Sequence, residues 1–380
     1  MDRDGGQGST QGVKLEQNMI ELETHCAAKQ LDLAKWPTDG LESVKACPVC
    51  ESSQRRVLYD EMRDKVFFCA PGEWVLHECM NCGSSYLDPR PTPATIYLAY
   101  RTYYTHQRAE RIPTASLRGV KYLKRIMANG YRNWRFNADF SPSNSLGVLL
   151  AFLLPSERTA IEHESRHLPR RPQYGRLLDI GFGDGAFLDI ARAMGWDVTG
   201  IDPDSKVVNN ALQRGLNVYQ GGLEVMAQER GAFDVITMSH VIEHVHDPIE
   251  VLQTCNRLLK PGGQLWIETP NINSLGRSRF QHSWRGLETP RHLVLFNGRS
   301  LRGALQRAGF TNVQDVSQTS PCSVIYSMSQ RIEAGLDPYV ETPTPAWLRF
   351  EIIMARFAEF WLKPRREFLS VTAKKPDSDS

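Results

Sequence analysis

The chain has 380 residues, 41% apolar and 23% charged, with a formal net charge of +2. That length leaves room for two domains and a sizeable core, and the near-neutral balance excludes a whole-protein attraction to nucleic acid or membrane; any basic surface must be local. The longest apolar run, Leu146 to Leu154, stops at Pro155, roughly half the length that a bilayer span requires.

The opening segment, MDRDGGQGSTQG, is polar and glycine-rich. It reads as a disordered tail without a secretory signal, so the cytoplasm is the expected compartment. Residues 1–43 are read as this tail plus a short helix around Val13 to Leu33. Residues 44–92 are read as a separate module, because four of the eight cysteines form two tight pairs there, Cys47-Pro-Val-Cys50 and Cys79-Met-Asn-Cys82-Gly83. Each pair offers two thiolates to one tetrahedral ion, and a glycine after the second pair permits the tight turn. The intervening VLYDEMRDKVFFCAPGEWVLHEC reads as strands, which makes a zinc-ribbon pattern with a long loop. Redox chemistry is the alternative, but two separated pairs suit one metal better. Four thiolate ligands close the site, so the Zn2+ is expected to be structural. Cys69 reads as a buried or loop thiol.

Residues 93–173 read as a mostly helical linker or substrate cap, rich in aromatic and basic side chains. It opens with a tyrosine-rich helix, Tyr97 to Tyr104, in which Tyr103 and Tyr104 could cover a bound ligand. The stretch LRGVKYLKRIMANGYRNWR that follows could hold an anionic acceptor, or could simply be a solvated helical face.

From residue 174 to 380 short apolar strands alternate with amphipathic helices, the pattern of βαβ units around a parallel sheet. Strands are expected at Arg176–Ile180, Asp197–Ile201, Asn217–Gln220, Phe233–Met238, Gln264–Glu268, Asn312–Ser317 and Glu367–Ala373. Helices are expected at Ala186–Met194, Ser205–Arg214, Pro248–Leu259 and Ser300–Ala308. Gly195, Gly215 and Gly309 each follow a helix, where a C-terminal glycine cap belongs. A helical insertion is expected at about 322–365. Within it, PAWLRFEIIMARFAEFWLKPRR at 345–366 reads as a helix that closes over the core or a partner. The sharper alternative is peripheral membrane contact at the inner face of the membrane, which its aromatics and flanking basic residues suit and its two glutamates weaken.

The segment RLLDIGFGDGAFLDIA sets a strand, a glycine turn and a helix in succession. Gly181, Gly183 and Gly185 let the backbone turn and approach a ligand, which the next helix meets with its positive dipole end. A dinucleotide site would show a similar string if Ala186 served as the third small residue. Asp179 argues otherwise, since a carboxylate there gains nothing from a pyrophosphate but suits a ligand with an ammonium and a sulfonium. Asp202, in GIDPD, can accept both hydroxyls of an unphosphorylated ribose. FDVITMSHVIEHVHDP and LKPGGQLWIETPN then continue the order.

These four ordered motifs resemble the class I S-adenosylmethionine-dependent methyltransferases, and within them the branch that includes the ubiquinone-biosynthesis O-methyltransferases. The likeness covers about residues 174 to 318 and the strand EFLSVTAKK. It implies a Rossmann-like, doubly wound α/β sheet of seven mostly parallel strands, the last an antiparallel edge strand. It also implies that Asp179 and the amides of Gly181 and Gly183 hold the methionine part of S-adenosylmethionine. Asp202 would hold the ribose, Leu223 and Glu224 would lie near the adenine, and Ser239 and His240 would face the methyl-transfer region. Phe182 and Gly185 would belong to the same cofactor loop; Phe182 departs from the small residue many members carry, which would alter only packing near the loop. The ribbon resembles those found on bacterial methyltransferases of surface-polysaccharide and natural-product sugar pathways.

Methyl transfer needs nucleophile, methyl and leaving sulfur in line, and an oxygen nucleophile also has a proton to lose. His240, His244, His246 and His292 are candidate bases. His292, in WRGLETPRHLVLFNGRSL, is preferred, because substrate loops of the family lie there. The turn after the fourth strand lacks both the D/N/S-P-P-Y/F clamp for base nitrogens and a Pro-Cys pair. The expected reaction is therefore O-methylation of a small or sugar-containing acceptor. RNA methylation through the zinc ribbon and a non-catalytic scaffold are the rival readings, and the sequence does not decide oligomeric state.

Overall fold

The computed structural model describes residues 35–101, 119–173, 175–340 and 342–377. The helix expected near Val13–Leu33, and Tyr103 and Tyr104, lie outside the described residues. Five short strands come first: β1 (Leu41–Glu42), β2 (Arg55–Met62), β3 (Trp74–Cys79), β4 (Ser85–Leu87) and β5 (Arg90–Pro91). β2, β3 and β4 form an antiparallel ladder, and β1 pairs with β5. Arg55 lies opposite Cys79 in that ladder, so the cysteine turn before β2 and the one after β3 meet at the same end. Tyr97 and Tyr100 lie on a 3-10 turn, Ile96–Tyr100. Three helices follow, α1 (Val120–Phe136), α2 (Leu146–Leu153) and α3 (Pro155–Glu164).

The next stretch alternates strands and helices: β6 (Arg176–Ile180), α4 (Ala186–Ala193), β7 (Asp197–Asp202), α5 (Ser205–Gln213), β8 (Val218–Gln220), β9 (Phe233–Ser239), α6 (Pro248–Leu258) and β10 (Leu259–Pro270). The helix starts are set chemically. Asp204 accepts the amide of Lys206 at 2.8 Å, and Asp247, ahead of Pro248, accepts that of Glu250 at 2.9 Å. Gly195, Gly215 and Gly309 take φ of 87°, 67° and 85° just past α4, α5 and a later helix, the left-handed conformation a glycine cap supplies. The chain then runs through α7 (Leu275–Phe280), β11 (Val294–Leu295), α8 (Gly298–Arg307), β12 (Thr311–Asp315), α9 (Cys322–Glu333), α10 (Ala346–Trp361) and β13 (Phe368–Lys374).

Seven of these strands form one sheet in the order β12-β13-β10-β9-β6-β7-β8. β6 to β10 are mutually parallel, and all but the exposed edge strand β8 are buried on both faces, which is why they read as near-continuous apolar runs. β6 lies between β7 and β9, so the order reverses there, and the crevice beyond its carboxyl end is where such sheets bind ligands. β13 is antiparallel, as expected, but it is not an edge strand. It pairs with β10 on one side and β12 on the other, and the largely exposed β12 forms the edge. The physical reason is backbone pairing: β12 takes up the outer N–H and C=O groups of β13 through Thr311, Gln314 and Asp315, which an edge would leave unpaired.

β11 belongs to the α/β segment by chain order, yet it completes the cysteine module's sheet, with Val294 opposite Tyr86 and Leu295 opposite Ser85. One apolar cluster runs through both parts, including Trp74, Leu76, Leu87, Leu293 and Phe296. A buried ion pair fastens the same junction. Arg291, 0% exposed, meets Asp64, 1% exposed, through Nη1–Oδ2 at 3.1 Å and Nη2–Oδ1 at 2.5 Å. Asp64 also accepts the amides of Val66, Phe67, Cys69 and Ala70. Burial alone would raise the Asp64 pKa, but Arg291 and these amides hold it below the ordinary value. Its stabilisation is therefore complete above the unfolded carboxylate range and lost as pH falls through the folded value.

Removing one partner of a buried pair strands the other charge. Asp64→Ala is predicted to lower the unfolding free energy by about 3–5 kcal/mol, read from urea titration. Arg63→Ala, on the exposed pair with Glu73, should leave the midpoint in place. Equal effects would remove the special role of the buried pair.

Candidate active site

β6 ends at Ile180, and Gly181, Gly183 and Gly185 follow with φ of 66°, 55° and 72°. A Cβ on Gly181 would sit 2.5 Å from Val241 Cγ2, so the loop after β9 packs directly on this turn. A Cβ on Gly183 would meet nothing within 4 Å. The turn is thus tight against the protein at its first glycine and open at its second, which leaves a cradle at the start of α4. Phe182, between them, is buried in the apolar cluster that includes Phe187 and Leu188.

Asp179 is fully buried on β6. Its Oδ1 accepts Thr237 Oγ1 at 2.8 Å and contacts Nη1 of Arg166, while Oδ2 is buried without a partner. Burial raises the Asp179 pKa, and Arg166 and Thr237 offset only part of that rise. The Arg166 guanidinium stands 4.0 Å over the ring of Phe187. A part-buried cation and a buried, half-satisfied carboxylate therefore lie side by side next to the glycine turn. Asp202 ends β7, and its Oδ2 accepts the Gly183 amide at 3.0 Å while Oδ1 accepts that of Asp204 at 2.9 Å. It therefore ties the second strand to the cradle.

Leu223 and Glu224 open a 3-10 turn after β8, where Glu224 Oε1 accepts the Gly222 amide at 2.7 Å. Ser239 ends β9 and His240 follows at a positive φ of 55°. Nδ1 of His240 lies 3.3 Å from Glu243 Oε1 and Nε2 lies 3.7 Å from Glu268 Oε1. Burial disfavours its charged form, but the two carboxylates outweigh burial and raise its pKa. Glu268 also receives Nε2 of His163 at 2.6 Å.

Glu243 is fully buried and accepts Thr269 Oγ1 at 2.9 Å. Burial would raise its pKa, yet His240, His244 and His292 hold it down at about 2, so it is a carboxylate. Ligand atoms of Glu243, His244 and His292 lie within 4.8 Å of one another, and the two imidazoles meet edge to face at 4.7 Å. Nδ1 of His292 lies 2.7 Å from the Gly286 carbonyl, and Nδ1 of His244 lies 3.1 Å from the Arg291 carbonyl. A carbonyl only accepts, so in both rings Nδ1 carries the proton and Nε2 is the acceptor. The Tyr100 hydroxyl comes to 3.0 Å from the same Nδ1 of His244, which places the arm after the cysteine module beside this cluster. His292 is more buried than His244, and burial pushes its pKa down to about 4. His246 lies apart, with Nε2 at 2.9 Å from the Pro91 carbonyl.

The structure thus brings Asp179, the glycines, Asp202 and Ser239–His244 together at the carboxyl ends of β6, β7 and β9. His292 reaches the same place from the loop before β11. Arg166, Tyr100, Glu243 and Glu268 complete the cluster and were not singled out by sequence. Arg166 precedes Asp179 by thirteen positions with no motif around it. Glu243 was readable only as the neighbour of His244.

In the cysteine module, Cys47 and Cys82 Sγ lie 3.7 Å apart and Cys50 and Cys79 Sγ 3.5 Å apart. Thiolates about 2.3 Å from one tetrahedral ion would be separated by about 3.8 Å. Gly83, at φ 74°, returns its amide to the Cys79 carbonyl at 2.9 Å and so closes the second knuckle.

Residues 156–315 match the family described as Methyltransferase domain. The chain is 31% identical over 148 residues to a ubiquinone biosynthesis O-methyltransferase of Colwellia psychrerythraea, which covers 36% of this chain and 58% of the relative. It is 32% identical over 158 residues to one of Pseudomonas aeruginosa, covering 40% and 63%. The chain thus spans about three fifths of the length of these relatives. A solved S-adenosylmethionine-dependent methyltransferase from Archaeoglobus fulgidus aligns over 64% of this chain and 98% of its own at 19% identity and a TM-score of 0.39, too loose a superposition to argue from. The strand order and the glycine turn agree with the methyltransferase domain that residues 156–315 match.

Proposed function

We propose that the cluster around the glycine turn is an active site for O-methylation of a small or sugar-containing acceptor. The observation that carries the reading is the pairing of Arg166 with the buried, half-satisfied Asp179 next to an open glycine cradle. S-adenosylmethionine carries a zwitterionic amino-acid end and supplies an electrophilic sulfonium methyl when bound. Asp179 Oδ2 suits its ammonium, Arg166 its carboxylate, and the turn that is open at Gly183 the chain between them; the Gly181 and Gly183 amides themselves are taken by the Ile201 carbonyl and Asp202. Asp202 suits the ribose hydroxyls, and Leu223 the adenine side. Glu224, committed to the Gly222 amide, helps shape that side.

The acceptor needs an aligned hydroxyl and a base to take its proton. His244 and His292 both present Nε2 as an acceptor, each fixed in that tautomer by a main-chain carbonyl. His244 is the less buried ring and is reached first by an acceptor, and the ionised Glu243 stabilises the imidazolium that forms. His292, packed edge-on behind it, orients the ring or relays the proton, while His240 and Ser239 border the approach. The four cysteines hold a structural Zn2+ that keeps the arm bearing Tyr100 against His244.

Three outcomes test this reading. Calorimetric titration with S-adenosylhomocysteine should show micromolar binding that Asp202→Ala abolishes; no binding by folded wild type would sink it. With release of S-adenosylhomocysteine followed on sugar, nucleotide-sugar and phenolic acceptors, His244→Gln should lower kcat by about 10²–10⁴-fold while titration with the product is unchanged. A larger loss for His292→Gln than for His244→Gln would reverse their roles. Elemental analysis should find zinc stoichiometric with the chain and lost in Cys79→Ser; a metal-free but folded wild type would exclude the ion.

A further inference from the structure

α10 is apolar on two opposite faces. Leu348, Ile352 and Ala355 are buried against the fold, together with Glu359. Trp347, Phe350, Ile353, Met354, Phe357, Phe360 and Trp361 point the other way and are 48–68% exposed. Five of these are aromatic side chains of roughly 150–250 Å² each. The exposed face therefore presents on the order of 800 Å², above the roughly 300–600 Å² of the largest patch on a typical monomer. Nothing among the described residues covers it.

The charges are sorted around this face. Glu359 is turned inward, where it accepts the Glu367 amide at 2.9 Å, and Glu351 is held by Arg279 at 3.2 Å. Of the two glutamates that weaken a membrane reading of the sequence, Glu359 is thus absent from the outer surface and Glu351, part-exposed beside it, is neutralised by Arg279. Arg349, Arg356 and Lys363 are all exposed and recur every seven residues, so they line one edge of the apolar face. Arg365 and Arg366 follow at its end. Tryptophans stand at both ends of the helix, as suits a helix lying along an interface.

We propose that the outer face of α10 seats this protein on an anionic lipid surface, with the helix lying flat, its rings among the acyl-chain ends and its basic edge against lipid phosphates. Sixteen residues span about 24 Å, and no helix among the described residues is long and apolar enough to cross a membrane. Lying flat is therefore the arrangement open to it. A second copy fits less well. A two-helix seam buries a narrow stripe, which would leave Ile353 or Phe360 wet. An antiparallel two-fold pair would also set the basic edge against itself. The inference stands independently of the acceptor.

The test is co-sedimentation of the full chain with phosphatidylcholine vesicles, alone or with about one-third phosphatidylglycerol. Binding is expected to the anionic vesicles and to fall with salt. Phe357→Ser with Trp361→Ser should reduce partitioning by at least about tenfold, with thermal unfolding and S-adenosylhomocysteine binding unchanged, because both side chains are exposed. Arg349→Gln with Lys363→Gln should erase the preference for anionic over neutral vesicles. Wild type that stays in the supernatant overturns the proposal, as does equal binding to both vesicle types. A concentration-dependent dimer in sedimentation velocity, abolished by the double serine variant and without vesicle binding, would assign the face to a second copy instead.

Discussion

The Arg291 guanidinium is buried among groups from three parts of the chain: Asp64, the Ala99 carbonyl at 2.8 Å and Glu288 at 3.2 Å, with Phe67 beneath it at 4.5 Å. Burial penalises its charge, and the two carboxylates more than compensate, so it stays protonated. Such a cation tolerates little displacement, because any movement breaks a charge-assisted bond in a dry interior. Its own carbonyl receives Nδ1 of His244, and the next residue is His292. The pair that joins the cysteine module to the α/β sheet therefore also sets the tautomer and position of the candidate base. This gives the module a reason to be there that metal binding alone would not. It supplies Asp64 and, through the turn at Ile96–Tyr100, the hydroxyl beside His244.

How much of this was legible beforehand follows from the range of each interaction. The glycine turn, the two acidic strand ends and the cysteine knuckles are local. Each is written within a few consecutive residues, and the structure places each where its spacing implies. The positions of the strands and helices followed from apolar periodicity to within a few residues, with β10 the main exception. It runs from Leu259 through the Pro-Gly-Gly turn to Pro270 rather than from Gln264 to Glu268. What could not be read is whatever is closed by long loops. Asp64 and Arg291 are 227 positions apart, and Arg166 meets Asp179 only because α3 turns back over the sheet. The interior place of β13 is of this kind too, since its sequence does not say that β12 will cover its outer side.

The electrostatics of the cluster divide the labour among similar side chains. Glu243 and Glu288 are both buried, and burial alone would neutralise them. Each is instead held ionised, Glu243 by histidines and Glu288 chiefly by Arg285. His292 is driven the other way, to a pKa of about 4, because desolvation exceeds the pull of Glu288. A neutral imidazole therefore lies next to fixed negative charge. A pKa that low leaves His292 a weak base near neutral pH, which suits it to orienting the His244 ring rather than to taking the acceptor's proton itself.

The insertion between β12 and β13 bears on the same cluster from the opposite side. α9 packs against α7 and the turn Arg285–Leu287, and Ser329 Oγ accepts the Arg285 amide at 2.9 Å. Gly286, in that turn, holds His292 through its carbonyl. α10 packs on α9, and Glu359 reaches from α10 to the first residue of the segment that becomes β13. The helix with the exposed aromatic face is thus two packed layers from a candidate catalytic ring. An insertion whose only task was to fill an edge of the sheet could keep a polar outer surface at no cost to this bracing. Keeping eight large apolar side chains from Trp347 to Leu362 in water is a standing cost in solubility. That cost is explained by a surface which the face meets in use.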